Sequence, residues 1–264
     1  MSMFRSIVCV KAVPDPESPS SAFEIDPVAK EMIPIGVPPV INPFDENALE
    51  LALRLKDAVG GKVTAITVAE KSIATVNHKI KTASDDFYLL TDAVFKDLDS
   101  RSVACVLEAA IRNAGDFDLI ITGRQAADWG FGQVGPMLAT MLDIPWISLA
   151  ISARVEGRSI IVEKLKRNGY ETVKAQLPVL LTATSEIGDL RLFSLRDIKE
   201  ARKKPETSWH FAELGISLEK MSRRKIENLT PPPSRKRQCF FAQGTDAEEK
   251  ARSLALKLRQ DHVL

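Results

Sequence analysis

An α/β fold is predicted, with a doubly wound, mostly parallel sheet, an added hairpin and an extended C-terminal arm. Three observations predict it. Strand and helix patterns alternate from residue 4 to about residue 142, the order that gives a parallel sheet with helices on both faces. The strand segments are short, nearly continuous apolar runs, as strands buried on both sides are. A glycine-spaced loop, Gly123-Arg124-Gln125-Ala126-Ala127-Asp128-Trp129-Gly130-Phe131-Gly132-Gln133-Val134-Gly135-Pro136, joins one such run (117–122) to a helical pattern (137–142). In α/β proteins, loop N–H groups and the helix dipole at that position favour a phosphate-bearing ligand.

The first strand is Phe4-Arg5-Ser6-Ile7-Val8-Cys9-Val10, ended by the proline-rich stretch 13–19. Residues 23–39 read as irregular, with a short hairpin around Asp26-Pro27-Val28-Ala29-Lys30. A helix opens at Asn42-Pro43-Phe44-Asp45-Glu46. Asn42 suits the cap, Pro43 the first helical position, and Asp45 and Glu46 the positive end of the dipole. Ala48, Leu49, Leu51, Ala52, Leu53 and Leu55 follow at helical spacing, and Gly60-Gly61 ends the helix. Next come a strand over 62–69, a helix over 72–83, a strand at 87–90 and a helix over 100–113. Beyond Pro145 the character changes. Runs 148–155 and 159–166 read as strands joined at Glu156-Gly157-Arg158, a hairpin that extends the sheet, and 179–184 returns to buried-strand character. From Lys203 proline and charge rise, with Pro205 and Pro231-Pro232-Pro233 as breakers. Residues 246–261 read as an amphipathic helix with Ala251, Leu254, Leu256 and Leu258 available to bury. The domain reading is a core of residues 1–203 and an arm with a terminal helix, 204–264, suited to docking on a partner.

Of the 264 residues 45% are hydrophobic and 27% charged, enough for a sizeable core. A net charge of +1 gives no general attraction to nucleic acid or membrane. The basic clusters Arg202-Lys203-Lys204, Arg223-Arg224-Lys225 and Arg235-Lys236-Arg237 have no interleaved aromatics. They read as solvated faces or a partner rim, not as a nucleic-acid site. Cys9, Cys105 and Cys239 show no metal-ligand spacing, and the first two lie in apolar patterns, as buried reduced thiols do. No apolar run suits a signal peptide or a membrane span, so a cytoplasmic location is expected, or the mitochondrial matrix in a eukaryote. His78, His210 and His262 have no carboxylate or cysteine companions at ligand spacing, and neither a Gly-x-Ser-x-Gly elbow nor a Walker-type lysine loop occurs. No catalytic residue and no metal are expected. A carrier whose chemistry belongs to a cofactor fits better than an enzyme acting alone.

Five blocks, in order, resemble the beta subunit of an electron transfer flavoprotein. They are Val10-Lys11-Ala12-Val13-Pro14-Asp15, then Asn42-Pro43-Phe44-Asp45-Glu46, then the loop 123–136. The fourth runs from Val162-Glu163-Lys164 through Leu177-Pro178-Val179-Leu180-Leu181-Thr182, and the fifth is Leu195-Arg196-Asp197-Ile198-Lys199-Glu200-Ala201-Arg202-Lys203-Lys204. The resemblance implies the adenine nucleotide alpha hydrolase-like version of the fold. It implies a nucleotide, commonly AMP, held against Cys9, Asn42, Pro43, Phe44, Asp45, Val68, Gly123, Arg124, Gln125, Ala126, Ala127, Asp128, Trp129, Gly130, Phe131, Gly132, Gln133 and Val134. It further implies an alpha subunit with which FAD is shared, Phe44 approaching that flavin from the beta side. Leu195 would anchor the loop that recognises acyl-CoA-type dehydrogenases, as in fatty acid oxidation, with electrons passing on to a quinone oxidoreductase. The arm after Lys204 would wrap the alpha subunit.

This chain also departs from the family pattern. Lys166-Arg167-Asn168-Gly169-Tyr170 stands where acidic residues and paired glycines are usual, and Val68-Ala69-Glu70 where a glycine-proline pair is common. Gln133-Val134-Gly135-Pro136 resembles the electron-bifurcating branch, in which the beta site holds a second FAD, whereas Trp129-Gly130-Phe131 fits neither version. AMP and a second FAD both stay open for the beta site. A non-redox, adenine-nucleotide-binding regulatory module would share the loop but needs neither the Leu195 block nor the basic arm. On physical grounds, Asn42 and the Gly123 loop both lie where helices begin, so several N–H donors converge on one phosphate. Asp128 is placed either to accept from a ribose hydroxyl or to bond its own backbone and fix the loop.

Overall fold

The computed structural model describes residues 3–217, 219, 221, 225–231 and 239–263; Arg223, Arg224, Pro232, Pro233 and the cluster at 235–237 lie outside the described residues. The chain divides into two compact units, Met1–Asn228 and Leu229–Leu264.

In the first unit β1 (Arg5–Cys9) leads through β2 (Ala12–Pro14), β3 (Phe23–Asp26), β4 (Glu31–Pro34) and β5 (Pro39–Ile41) into α1 (Pro43–Val59). β6 (Lys62–Ala69), α2 (Ala74–Thr82), β7 (Asp86–Thr91), α3 (Ser100–Ala114), β8 (Leu119–Gly123) and α4 (Val134–Leu142) then alternate. β9 (Trp146–Glu156), β10 (Ser159–Lys166) and β11 (Gly169–Gln176) follow, then β12 (Val179–Ala183), α5 (Leu195–Ala201) and β13 (Thr207–Trp209). One nine-stranded sheet results, in the order β11-β10-β9-β12-β8-β1-β6-β7-β13. From β9 to β13 in that order all neighbours pair in parallel, while β10 pairs antiparallel with both β9 and β11. β3 and β4 form the expected hairpin.

Period-two alternation sorts the central strands between two apolar layers. Val8, Leu119 and Ile121 pack in one with Ala48, Leu49 and Ala52 of α1 and Ile80 of α2. Ile7, Cys9 and Ile120 pack in the other with Ala110 and Ile111 of α3 and Leu138 of α4. The sheet is thus covered on both faces, the doubly wound arrangement. The α1 helix stops where expected, and Gly61 is required there: at φ +114° an added Cβ would overlap the Phe4 carbonyl oxygen.

Besides the small β2–β5 sheet, which stands where loop and irregular chain were read, the structure differs from the sequence reading at three places. β11 was not foreseen, and it adds a third antiparallel strand beyond the hairpin. Helix α4 begins at Val134, inside the glycine loop, three residues before the expected start. The first unit also continues past residue 203. β13 pairs with β7, Trp209 stacks on Tyr88 with centroids 4.6 Å apart, and Leu214 is buried in the second layer. Aromatic and apolar residues at 209, 211 and 214 outweigh the charge and the proline that suggested an arm there.

The second unit carries α6 (Ala247–Gln260), capped by Asp246, whose carboxylate accepts from the Glu249 amide at 2.9 Å. None of its residues is buried, so Ala251, Leu254, Leu256 and Leu258 remain at least partly accessible.

Candidate functional site

β1 connects through α1 to β6 on one side, whereas β8, on its other side, connects onward toward β9 and β12. Strand order therefore reverses between β1 and β8, and the crevice beyond their carboxyl ends is where open α/β sheets bind ligands. A cavity of about 330 Å³ opens there. Cys9, Ile66 and Val68 form its floor, and Phe95, Leu98, Val103 and Leu107 form an apolar wall. Val10, Lys11, Asn42, Asp45, Asp97, Ser100, Thr122 and most of the loop from Gly123 to Gly135 complete it.

The loop is held from α1. The Asn42 amide Nδ2 donates to the Gln125 carbonyl at 2.9 Å, and Asn42 Oδ1 accepts from the Ala127 amide at 3.0 Å. Asn42 therefore does not cap α1 with its side chain, as its sequence position suggested; the loop takes both of its polar ends. The Asp45 carboxylate accepts from the Gly123 amide at 3.0 Å and from the Lys11 amide at 2.8 Å, tying the ends of β8 and β1 together. Burial pushes its pKa up to about 7, against the pull of these two N–H groups, Asn42 and the Lys11 charge. Burial, with Asp45 nearby, also pushes the Cys9 thiol up, so it stays protonated and is no nucleophile.

Asp128 bonds the Trp129 amide at 2.9 Å and pairs with Lys11 Nζ at 2.5 Å. Of its two possible roles, the geometry supplies the loop-fixing one. The Arg124 guanidinium lies over the Phe44 ring, 4.5 Å from the centroid.

The chemistry of the cavity follows from these parts. No side chain caps α4, and Pro136 has no N–H, so Val134 and Gly135 supply its first-turn amides at the cavity wall. Among the described residues, Thr122 Oγ1 and Arg124 Nε are buried without a hydrogen-bond partner, and both residues line the cavity. A Cβ on Gly135 would meet Thr122 Oγ1 at 2.8 Å, so glycine keeps that hydroxyl clear. An apolar niche beside oriented N–H donors and a spare hydroxyl fits a planar base carrying phosphate.

Thirteen of the residues singled out from sequence line this cavity: Cys9, Asn42, Asp45, Val68, Gly123, Arg124, Gln125, Ala126, Trp129, Phe131, Gly132, Gln133 and Val134. Pro43, Phe44, Ala127, Asp128 and Gly130 are outside the lining. Pro43 is exposed at the start of α1, and the other four support the loop or its contact with α1. Leu195 is elsewhere, the first residue of α5 and 78% exposed. Val10, Lys11, Ile66, Phe95, Asp97, Leu98, Ser100, Val103, Leu107, Thr122 and Gly135 were missed. Lys11 and Thr122 could have been found, since each adjoins a strand end that faces the site. The wall from Phe95 to Leu107 reads as ordinary core in sequence.

Fold and cavity together define a doubly wound α/β protein with a cavity at the topological switch point. Residues 33–214 match the electron transfer flavoprotein domain. The chain is 35% identical over 267 residues to an electron transfer flavoprotein subunit beta of Thermoanaerobacterium thermosaccharolyticum, covering 98% of this chain and 99% of that one. It is 34% identical over 266 residues to the caffeyl-CoA reductase-Etf complex subunit CarD of Acetobacterium woodii, covering 98% and 100%. It is 30% identical over 272 residues to protein FixA of Azotobacter vinelandii, covering 98% and 95%. The chain belongs to the electron transfer flavoprotein family, among its beta subunits.

Proposed function

We propose that the chain is the beta subunit of a heterodimeric electron transfer flavoprotein whose switch-point cavity holds an adenine nucleotide. In this reading it passes electrons from acyl-CoA-type dehydrogenases toward a quinone oxidoreductase through FAD held jointly with an alpha subunit. The observation that carries the nucleotide is the clamped glycine loop, which sets the Val134 and Gly135 amides beside an apolar niche. FAD supplies the redox chemistry when bound. The chain's own residues do the positioning. Phe44, backed by the Arg124 guanidinium, faces the shared flavin, and Leu195 presents an apolar contact to the dehydrogenase. The accessible leucines of α6 belong to the arm that docks on the alpha subunit.

The test is co-expression with an alpha partner. A yellow heterodimer that a dehydrogenase can reduce is expected; a colourless chain that stays monomeric and binds ATP would support a regulatory module instead. A second reading is a subunit of an electron-bifurcating complex with a second FAD in the cavity. Gln133-Val134-Gly135-Pro136 favours it, as does similarity to a subunit of a caffeyl-CoA reductase-Etf complex. Two FAD per dimer would select that reading, and one FAD with one AMP would reject it.

A further inference from the structure

The wall of the cavity carries an acidic side chain that neither the fold nor the clamp on the glycine loop uses. Phe95 and Leu98 of that wall are buried in the second apolar layer. Asp97, between them, is exposed and also lines the cavity, so its carboxylate stands at the mouth.

Two other aspartates pin this segment at its ends. Asp92 accepts from the Val94 amide at 3.1 Å and from the Phe211 amide at 3.2 Å. Asp99 accepts from the Ser102 amide at 2.8 Å and caps α3. Asp97 makes no such bond among the described residues. Its neighbour Lys96 pairs with Glu31 at 2.7 Å, Asp97 adding a lesser attraction. The backbone at Asp97 is unusual as well. Its φ is +57°, in the left-handed region that residues with a Cβ seldom enter and that clusters at binding sites. With Phe95 and Leu98 packed on either side, this turn keeps residue 97 out of the core and beside the ligand space.

Charge decides which part of a nucleotide such a carboxylate meets. Phosphate belongs with the Val134 and Gly135 amides, where the helix dipole attracts an anion, and a carboxylate repels it. The base belongs in the apolar niche. The ribose between them offers two adjacent hydroxyl donors, which the two oxygens of an ionised carboxylate can accept, as an acidic residue does in dinucleotide-binding folds. Asp45, the other carboxylate in the lining, is already committed to the Lys11 and Gly123 amides.

We infer that Asp97 is the specificity residue for the sugar: its carboxylate accepts from the ribose 2′- and 3′-hydroxyls, so that the site selects ribonucleotides over deoxynucleotides. This rests on the reading above that the cavity holds an adenine nucleotide.

The test uses the heterodimer with its shared flavin in place and its additional site emptied. Equilibrium dialysis measures binding of AMP, 2′,3′-dideoxy-AMP and IMP there. The wild type should bind AMP at least about tenfold more tightly than the dideoxy analogue, since a site built for a hydroxyl rejects the ligand that lacks it. Asp97→Gly removes the carboxylate and suits the left-handed backbone. In that variant AMP should weaken about tenfold while the dideoxy analogue changes less than about twofold. Asp97→Asn tolerates the same conformation and keeps one acceptor oxygen, so its AMP affinity should lie between. A wild type that holds AMP and the dideoxy analogue equally, or a glycine variant in which both weaken together, would overturn the inference. So would a glycine variant that loses only its discrimination between AMP and IMP, because the carboxylate would then read the amino group of the base. If the wild type neither carries nor binds any adenine nucleotide, the reading of the cavity itself fails, an outcome distinct from a lost preference for the sugar.

Discussion

Asp45 and Gly123 form a joint that tolerates only glycine on the strand side. The Gly123 amide donates to Asp45 Oδ1 at 3.0 Å, and an added Cβ would overlap that same oxygen and come within 2.8 Å of Phe44 Cβ. Close approach of α1 to the end of β8 is what brings Asn42 within reach of the loop. Gly123→Ala should therefore destabilise the protein by about 1–3 kcal/mol through overpacking. Urea midpoints give the stability change, and nucleotide content of the purified protein should fall in parallel.

The same carboxyl should leave a signature in pH dependence. The folded pKa of Asp45 is raised to about 7 by burial, above the ordinary aspartate value of about 3.9. Between those values the native state binds the extra proton, so its contribution to stability is full below about pH 4 and is lost as pH rises through about 7. Subtracting the urea-midpoint profile of Asp45→Asn from that of wild type should expose a decline over this window. A flat difference would show that the two backbone N–H bonds, not burial, set the charge of this group.

Much of the frame was legible because it depends on local pattern. The apolar runs of β1, β6 and β8 and the start of α3 at Ser100 need no distant information. β11 escaped because Tyr170, Thr172, Lys174 and Gln176 alternate with Glu171, Val173 and Ala175 at a sheet edge, where neither side is a continuous apolar face. At the site, the glycine loop announced itself through composition, and most of its residues do line the cavity. The role of Asn42 did not. In sequence it reads as a helix cap, and only its distance of eighty-three positions from Gln125, closed by the fold, gives it another partner. Phe95 and Leu98 likewise become a wall only when β7 and α3 are placed beside β6.

Arg191 anchors the segment ahead of α5. Its guanidinium bonds Glu50 through Nε at 3.0 Å and Nη2 at 3.1 Å, and Asp57 through Nη1 at 2.6 Å. Burial alone would raise the Glu50 pKa, but bonds from Arg191 and Arg54 outweigh it and hold the carboxyl below its usual range. That stabilisation is present above the usual carboxylate range and is lost as pH falls through the lowered value. Arg191→Ala should cost about 1–3 kcal/mol by leaving the buried Glu50 carboxylate short of partners. The expected readout is a lower urea midpoint that Arg191→Lys only partly restores, since a lysine cannot bridge both carboxylates in the same fork geometry.

Leu192 and Leu195 project from this anchored segment, 100% and 78% exposed. Their replacement by alanine should leave stability within about 0.5 kcal/mol of wild type, as surface changes do. If they present the dehydrogenase contact, reduction of the heterodimer by its partner should slow about tenfold, the size of an interface anchor. Stopped-flow flavin reduction at limiting dehydrogenase measures this, and an unchanged rate in the double variant would remove the contact from this surface.

The most direct measurement is quantification of adenine nucleotide released from the purified heterodimer on denaturation, for wild type and for Asn42→Ala. The cavity reading expects one nucleotide per dimer beyond the shared FAD in wild type. In the variant, whose loop loses both of its ties to Asn42, it expects a marked loss with the shared FAD retained. A wild-type dimer that releases only the shared FAD, or a variant that keeps its full second nucleotide, would contradict it.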